Sequence, residues 1–140
     1  MHKHTAYSVA IYSQDEVRGK ILVNALMLRG INTILYPTFL DIKNAAETAV
    51  PDVLIFDTKT NFWSEYKFFR TMSFDMPDLT RIVLCDSQHT ASMKAADMKN
   101  CHFVPDPFDP EFCISLVENI LLEKEKKKTL FLSAVTFSKQ

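Results

Sequence analysis

Residues 53–56, Val-Leu-Ile-Phe, form an unbroken apolar run, introduced by Pro51-Asp52 and closed by Asp57. A strand with one face in water alternates apolar and polar residues, so a continuous run of this kind needs cover on both faces. In a chain of 140 residues, which fits one domain, such cover comes from helices packed on either side of a parallel sheet.

The rest of the chain repeats the same alternation. Residues 8–12 form a short apolar strand, followed at 13–16 by cap-type residues and acids that suit a helix start. Val17, Ile21, Leu22, Ala25 and Leu28 then recur at helical spacing until Gly30 stops the helix. A second strand is expected over 32–36, a short helix over 41–48, a helix over 63–72, a strand over 81–84, a helix over 90–99 and a strand over 102–104. Pro110 suits a first helical turn, and Phe112, Leu116, Val117, Ile120 and Leu121 mark a strong last helix. Five strands alternating with five helices imply a doubly wound α/β sheet with right-handed crossovers. Ligands in such sheets bind beyond the carboxyl ends of the strands. The positions to interrogate are therefore 13–16, 57–59, 85–87 and Asp106.

Composition removes several function classes. The net charge of −1 implies no global attraction to nucleic acid or membrane, and no stretch approaches the roughly 20 apolar residues that span a bilayer. The two glycines, Gly19 and Gly30, leave no room for a GxGxxG or GxxxxGK[ST] phosphate loop. Cys85, Cys101 and Cys113 are odd in number and widely spaced, which reads as reduced, mostly buried thiols rather than a zinc site or a disulfide framework. No secretory leader is read at the N-terminus, and a cytoplasmic location is expected.

Three segments carry a resemblance. Pro51-Asp52-Val53-Leu54-Ile55-Phe56-Asp57, Arg81-Ile82-Val83-Leu84-Cys85-Asp86 and Phe103-Val104-Pro105-Asp106-Pro107-Phe108 resemble, in motif and spacing, the receiver domain of two-component response regulators, including the single-domain chemotaxis kind. The resemblance covers about residues 8–123 and implies a flavodoxin-like sheet of strand order 2-1-3-4-5. A domain over 6–124 is expected, with a charged helix end and apolar tail over 125–140. The resemblance also makes Asp57 the candidate phospho-acceptor and Phe103 the switch aromatic, and it places contacts with a protein partner, such as a histidine kinase, between the fourth strand and the fifth helix.

The departures are as informative. By the same resemblance, the paired acids after the first strand fall on Ser13 and Gln14, the hydroxyl position on Cys85 and the lysine on Asp106. Mg²⁺ takes carboxylates and keeps waters, yet Ser13 and Gln14 offer neutral oxygens. Asp15 and Asp57 are the remaining candidate metal ligands, and Asp15 also suits a helix-start acid. Asp106 would repel a phosphoryl group where a lysine would attract it, at a cost of about 1–4 kcal/mol for close unit charges. Asp86 adds negative potential at the same edge, and Cys85 is a weak donor beside a hydroxyl. Lys59 is the cation nearest in sequence after Asp57 and a candidate partner for it, against a solvated lysine on a loop. FMN is not expected, because the loop after the first strand is acidic and lacks glycine.

Other features weigh toward ordinary roles. His89 and His102 lack partners at metal-ligand spacing. Phe62, Tyr66 and Phe69 share a helical face suited to the core, whereas Trp63 lies with Lys67 and Arg70 on another and is a candidate interface residue. The segment 129–137 is apolar and β-prone, fit for an edge strand, a partner contact or a disordered end.

The expected function is a non-catalytic signalling module, not an enzyme, that needs no cofactor and acts through protein contacts. Neither nucleic acid nor membrane is an expected partner, and a homodimer is possible on this reading. One alternative is a genuine Mg²⁺-dependent phospho-receiver that accepts phosphate on Asp57. Another is a structural or oligomerisation module built on the tail or the aromatic helix.

Overall fold

The structure is a computed structural model that describes residues 7–57, 76, 79–85, 100–105 and 109–138. Its sheet contains β1 (Ser8–Ser13), β2 (Asn32–Tyr36), β3 (Val53–Asp57), β4 (Thr80–Cys85) and β5 (Cys101–Pro105). All pairs are parallel and the order is β2-β1-β3-β4-β5. The described helices are α1 (Glu16–Leu28), α2 (Phe39–Thr48) and α3 (Pro110–Ser138). The helices expected over 63–72 and 90–99, with Lys59, Phe62, Trp63, Tyr66, Phe69, Asp86, His89 and Asp106, lie outside the described residues, as does the side chain of Cys85.

The two-residue period of the strands divides the core into two layers. Val9, Ile11, Val53, Ile55, Ile82, Leu84 and Val104 pack against Leu22 and Leu26 of α1 and Cys113, Ile114, Val117 and Leu121 of α3. Ala10, Tyr12, Leu54, Phe56 and Val83 face the other way, with Ile42 of α2, and the Tyr12 and Phe56 rings lie 5.4 Å apart between centroids. The run 53–56 is buried throughout, as its unbroken apolar character requires, and so is Asp57 after it.

Local chemistry fixes the ends of α1. The Asp15 carboxylate caps it by accepting from the Arg18 backbone N–H at 3.1 Å. At the other end Gly30 takes φ 75°, while the Ile31 N–H donates to the Leu26 carbonyl and the Gly30 N–H to the Met27 carbonyl. This is a Schellman closure, and Ile31 and Leu26 share the core beneath it. In α2, Thr38 caps the helix from outside and its hydroxyl also meets Asp41.

Three expectations change. The buried side of α1 carries Gly19, Leu22 and Leu26, whereas Val17, Ile21 and Leu28 are exposed. Likewise Phe112 of α3 is exposed and Cys113 beside it is buried. Both helices place apolar residues on more than one side, so spacing alone did not single out the core stripe. Finally, the β-prone segment after Lys128 is helical as far as Ser138. A long helix built on Leu, Glu and Lys propagates at little cost once nucleated, and this outweighs local β-propensity.

Candidate functional site

Ser13 and Asp57 end neighbouring strands and face each other in register. Each continues the row of alternate residues that packs against α1 and α3 (Val9, Ile11, Ser13 and Val53, Ile55, Asp57). Both side chains are therefore delivered to one face at the carboxyl edge of the sheet. This is also where the strand order reverses, between β1 and β3.

Asp57 is 1% exposed. Its Oδ2 lies 2.9 Å from Ser13 Oγ and 3.1 Å from Arg18 Nε. Ser13 Oγ is also 2.9 Å from the Asp15 carbonyl and accepts from the Asp15 N–H at 3.1 Å. A hydroxyl has one hydrogen, and the charged carboxylate is the stronger acceptor. Ser13 thus links the α1 cap to Asp57, and the Arg18 side chain, 14% exposed, supplies the opposite charge.

Gly19 explains how α1 comes so close. A Cβ there would meet Leu35 Cδ1 at 2.9 Å and Ser13 Cβ at 3.3 Å. The glycine lets the first turns settle against β1 and β2, and that approach brings Arg18 within reach of Asp57. Arg18, Leu22 and Leu26 follow one another at four-residue steps, so the arginine heads the buried row of the helix. Cys113 of α3 lies close enough to sense both charges. Burial pushes its thiol up to about 12, with Asp57 adding to the rise and Arg18 opposing it.

The sequence-derived candidates separate accordingly. Ser13 and Asp57 are brought together. Asp15 commits its carboxylate to the α1 cap. Gln14 is exposed and lines a crevice of about 530 Å³ with Glu16, Lys20 and Leu35. Lys20 pairs there with Glu16 at 3.0 Å. Phe103 is half-buried against the core layer that includes Phe56 and Val83. Among the described residues the cation at Asp57 is Arg18, which apolar spacing did not single out; Lys59 lies outside the described residues. Gly19 was the available signal, since a glycine inside a helix marks a close approach and the residue before it shares that approach. Among the described residues no group of three or more His, Cys, Asp or Glu is gathered as a metal site would require.

No protein-family model and no curated protein matches this sequence. Solved structures do match. The apo receiver domain of nitrogen regulatory protein C superposes with a TM-score of 0.76 at 20% identity, over 86% of this chain and 98% of that one. A transiently phosphorylated switch in bacterial signal transduction gives 0.75 at 19%, over 85% and 97%. The receiver domain of DrrB, activated by BeF3, gives 0.67 at 20%, over 82% and 97%. Strand order, all-parallel pairing and these superpositions agree that the chain has the fold of a response-regulator receiver domain.

Proposed function

We propose that this chain is a receiver-like signalling module that acts through protein contacts, with Asp57 held in an internal lock rather than used as a phospho-acceptor. The observation that carries this reading is the Arg18 guanidinium 3.1 Å from Asp57 Oδ2, in a site where the carboxylate is 1% exposed. Phosphoryl transfer to a carboxylate depends on positioning and on neutralising charge with metal and lysine. Here the neutralising charge comes from the chain itself, and it is spent on the ground state.

The arrangement of the described residues argues against Mg²⁺. A hard dication requires several oxygen ligands, whereas the Asp57 oxygen already faces a cation and a hydroxyl donor, and Asp15 caps α1. On this reading the module needs no metal, performs no catalysis and presents one switch state to its partner.

A second reading, a working phospho-receiver, is favoured by Asp57 itself, at the end of β3 in a fold shared with a transiently phosphorylated switch. Incubation with Mg²⁺ and a small phosphodonor such as acetyl phosphate, followed by intact mass, separates the two. The lock predicts no phosphoryl adduct on the wild-type chain. An adduct that forms readily and disappears in Asp57→Asn would establish the second reading.

A further inference from the structure

The net charge of −1 for the whole chain conceals a segregation at the end of α3. This helix has 29 residues, about 43 Å at 1.5 Å per residue. Its core contacts end at Leu121, and Glu125 is joined to the domain by a hydrogen bond from the Tyr7 hydroxyl. From Lys126 to Ala134 every residue is exposed, with Lys127 at the rim of a crevice that Thr80, Asn100 and His102 also line, so the turns beyond Lys127 project past the described core.

Two kinds of residue occupy that arm. Lys124, Lys126, Lys127 and Lys128 come first, followed by Leu130, Phe131 and Leu132, which are 70%, 68% and 54% exposed. An advance of about 100° per residue puts Leu130, Phe131, Leu132, Ala134 and Val135 within an arc of about 200°. Lys124, Lys127 and Lys128 lie over or beside the same arc, one to two turns nearer the domain. Glu123 lies on that side too, and is engaged by Lys126 at 3.6 Å. The Thr129 hydroxyl, at the junction, donates to the Glu125 carbonyl at 3.0 Å, so its polar hydrogen is satisfied within the helix.

We propose that the end of α3 is a lipid-contact element, which seats Leu130, Phe131 and Val135 at the interface of an anionic membrane while the lysines meet its headgroups. Charge complementarity selects this occupant: clustered lysines beside an apolar helix face match an anionic lipid surface. A second copy fits less well. Helices crossing over the two or three apolar turns available would bury well under the roughly 1,200 Å² typical of stable dimers. No described helix is long and apolar enough to cross a membrane, so the element lies at the interface. Tyr7 precedes β1, so the arm leaves from the amino edge of the sheet, opposite to Asp57. Attachment by the arm therefore leaves the Asp57 edge open to a protein partner. The inference does not depend on whether Asp57 is phosphorylated.

Co-sedimentation of the full chain with vesicles tests it, using phosphatidylcholine alone and phosphatidylcholine mixed with phosphatidylglycerol. The expected result is binding to the mixed vesicles, weakened by salt, and at least about tenfold weaker on phosphatidylcholine alone. Two variants, Leu130→Ser/Phe131→Ser/Leu132→Ser and Lys126→Gln/Lys127→Gln/Lys128→Gln, should each lower that binding about tenfold with an unchanged thermal transition. All the substituted side chains are exposed, so the fold should be retained. The proposal is overturned by absent binding, by equal binding to both vesicle types or by binding that the variants do not alter. It is also overturned if the lipid-free chain is a dimer that the triple serine variant makes monomeric.

Discussion

Arg18 Nε and Asp57 Oδ2 stand 3.1 Å apart where β3 ends against the first turn of α1. Removing one partner of such a pair strands the other's charge away from water. Arg18→Met should cost about 2–4 kcal/mol, toward the lower part of the range for buried pairs because Arg18 keeps some contact with solvent. Arg18→Met/Asp57→Asn should cost less than the two single changes summed, with a coupling of about 1–3 kcal/mol in urea unfolding. Additive losses would mean the two groups do not interact.

Gly19→Ala tests the close approach that makes the pair possible. Alanine favours a helix by about 1 kcal/mol, yet its Cβ would press on Leu35 and Ser13. A net destabilisation of about 1–2 kcal/mol is expected from overpacking. Adding Leu35→Ala should bring stability back up, because the nearest atom belongs to that side chain.

Cys113 provides a chemical readout of the packing between α1 and α3. Burial holds its thiol up to about 12, so the reactive thiolate is scarce near neutrality. In the native protein Cys113 should resist a disulfide reagent at pH 8, and it should react once urea unfolds the chain. The half-buried Cys101 should react first, as followed by peptide mass. The folded-state value lies above the ordinary thiol value of 9.0. The stabilisation from the neutral buried thiol is therefore complete below about 9 and lost as the pH rises toward 12.

Tyr7 should report the seating of α3 in the same way. Its hydroxyl donates to Glu125, and that bond, with some burial and the carboxylate charge, raises its value from 10.0 to about 12. The neutral form is the one favoured by folding, so the contribution is present below pH 10 and lost between 10 and 12. Tyrosine absorbance during alkaline titration should show a late-ionising group that Tyr7→Phe removes. Glu125→Gln should return it toward 10.

Much of the fold could be read from the sequence because its signals were physical necessities. A run such as Val53-Leu54-Ile55-Phe56 has no stable place except a strand covered on both faces. All five strands stand where apolar runs were read, within a residue or so at each end. The carboxyl edge of the sheet and Asp57 followed from that architecture. The helix faces were less legible. Val17, Ile21 and Leu28 were read with the core stripe of α1, but Gly19 turns the helix so that Arg18, Leu22 and Leu26 face inward. The partner of Asp57 was missed for the same reason: ion pairing across the sheet edge depends on how a helix is rotated, and apolar periodicity does not define that rotation when two sides are apolar. The end of α3 was misread because β-propensity is local, whereas helix propagation from residues 110–128 is cooperative.

The central claim, that Arg18 holds the place a metal and phosphoryl group would take, is tested most directly by titrating the chain with Mg²⁺ and beryllofluoride while recording backbone amide NMR shifts. The lock predicts no saturable change at Ser13, Asp57 or Arg18 in the wild-type chain. Saturable shifts at these residues in the wild-type chain, abolished by Asp57→Asn, would contradict it.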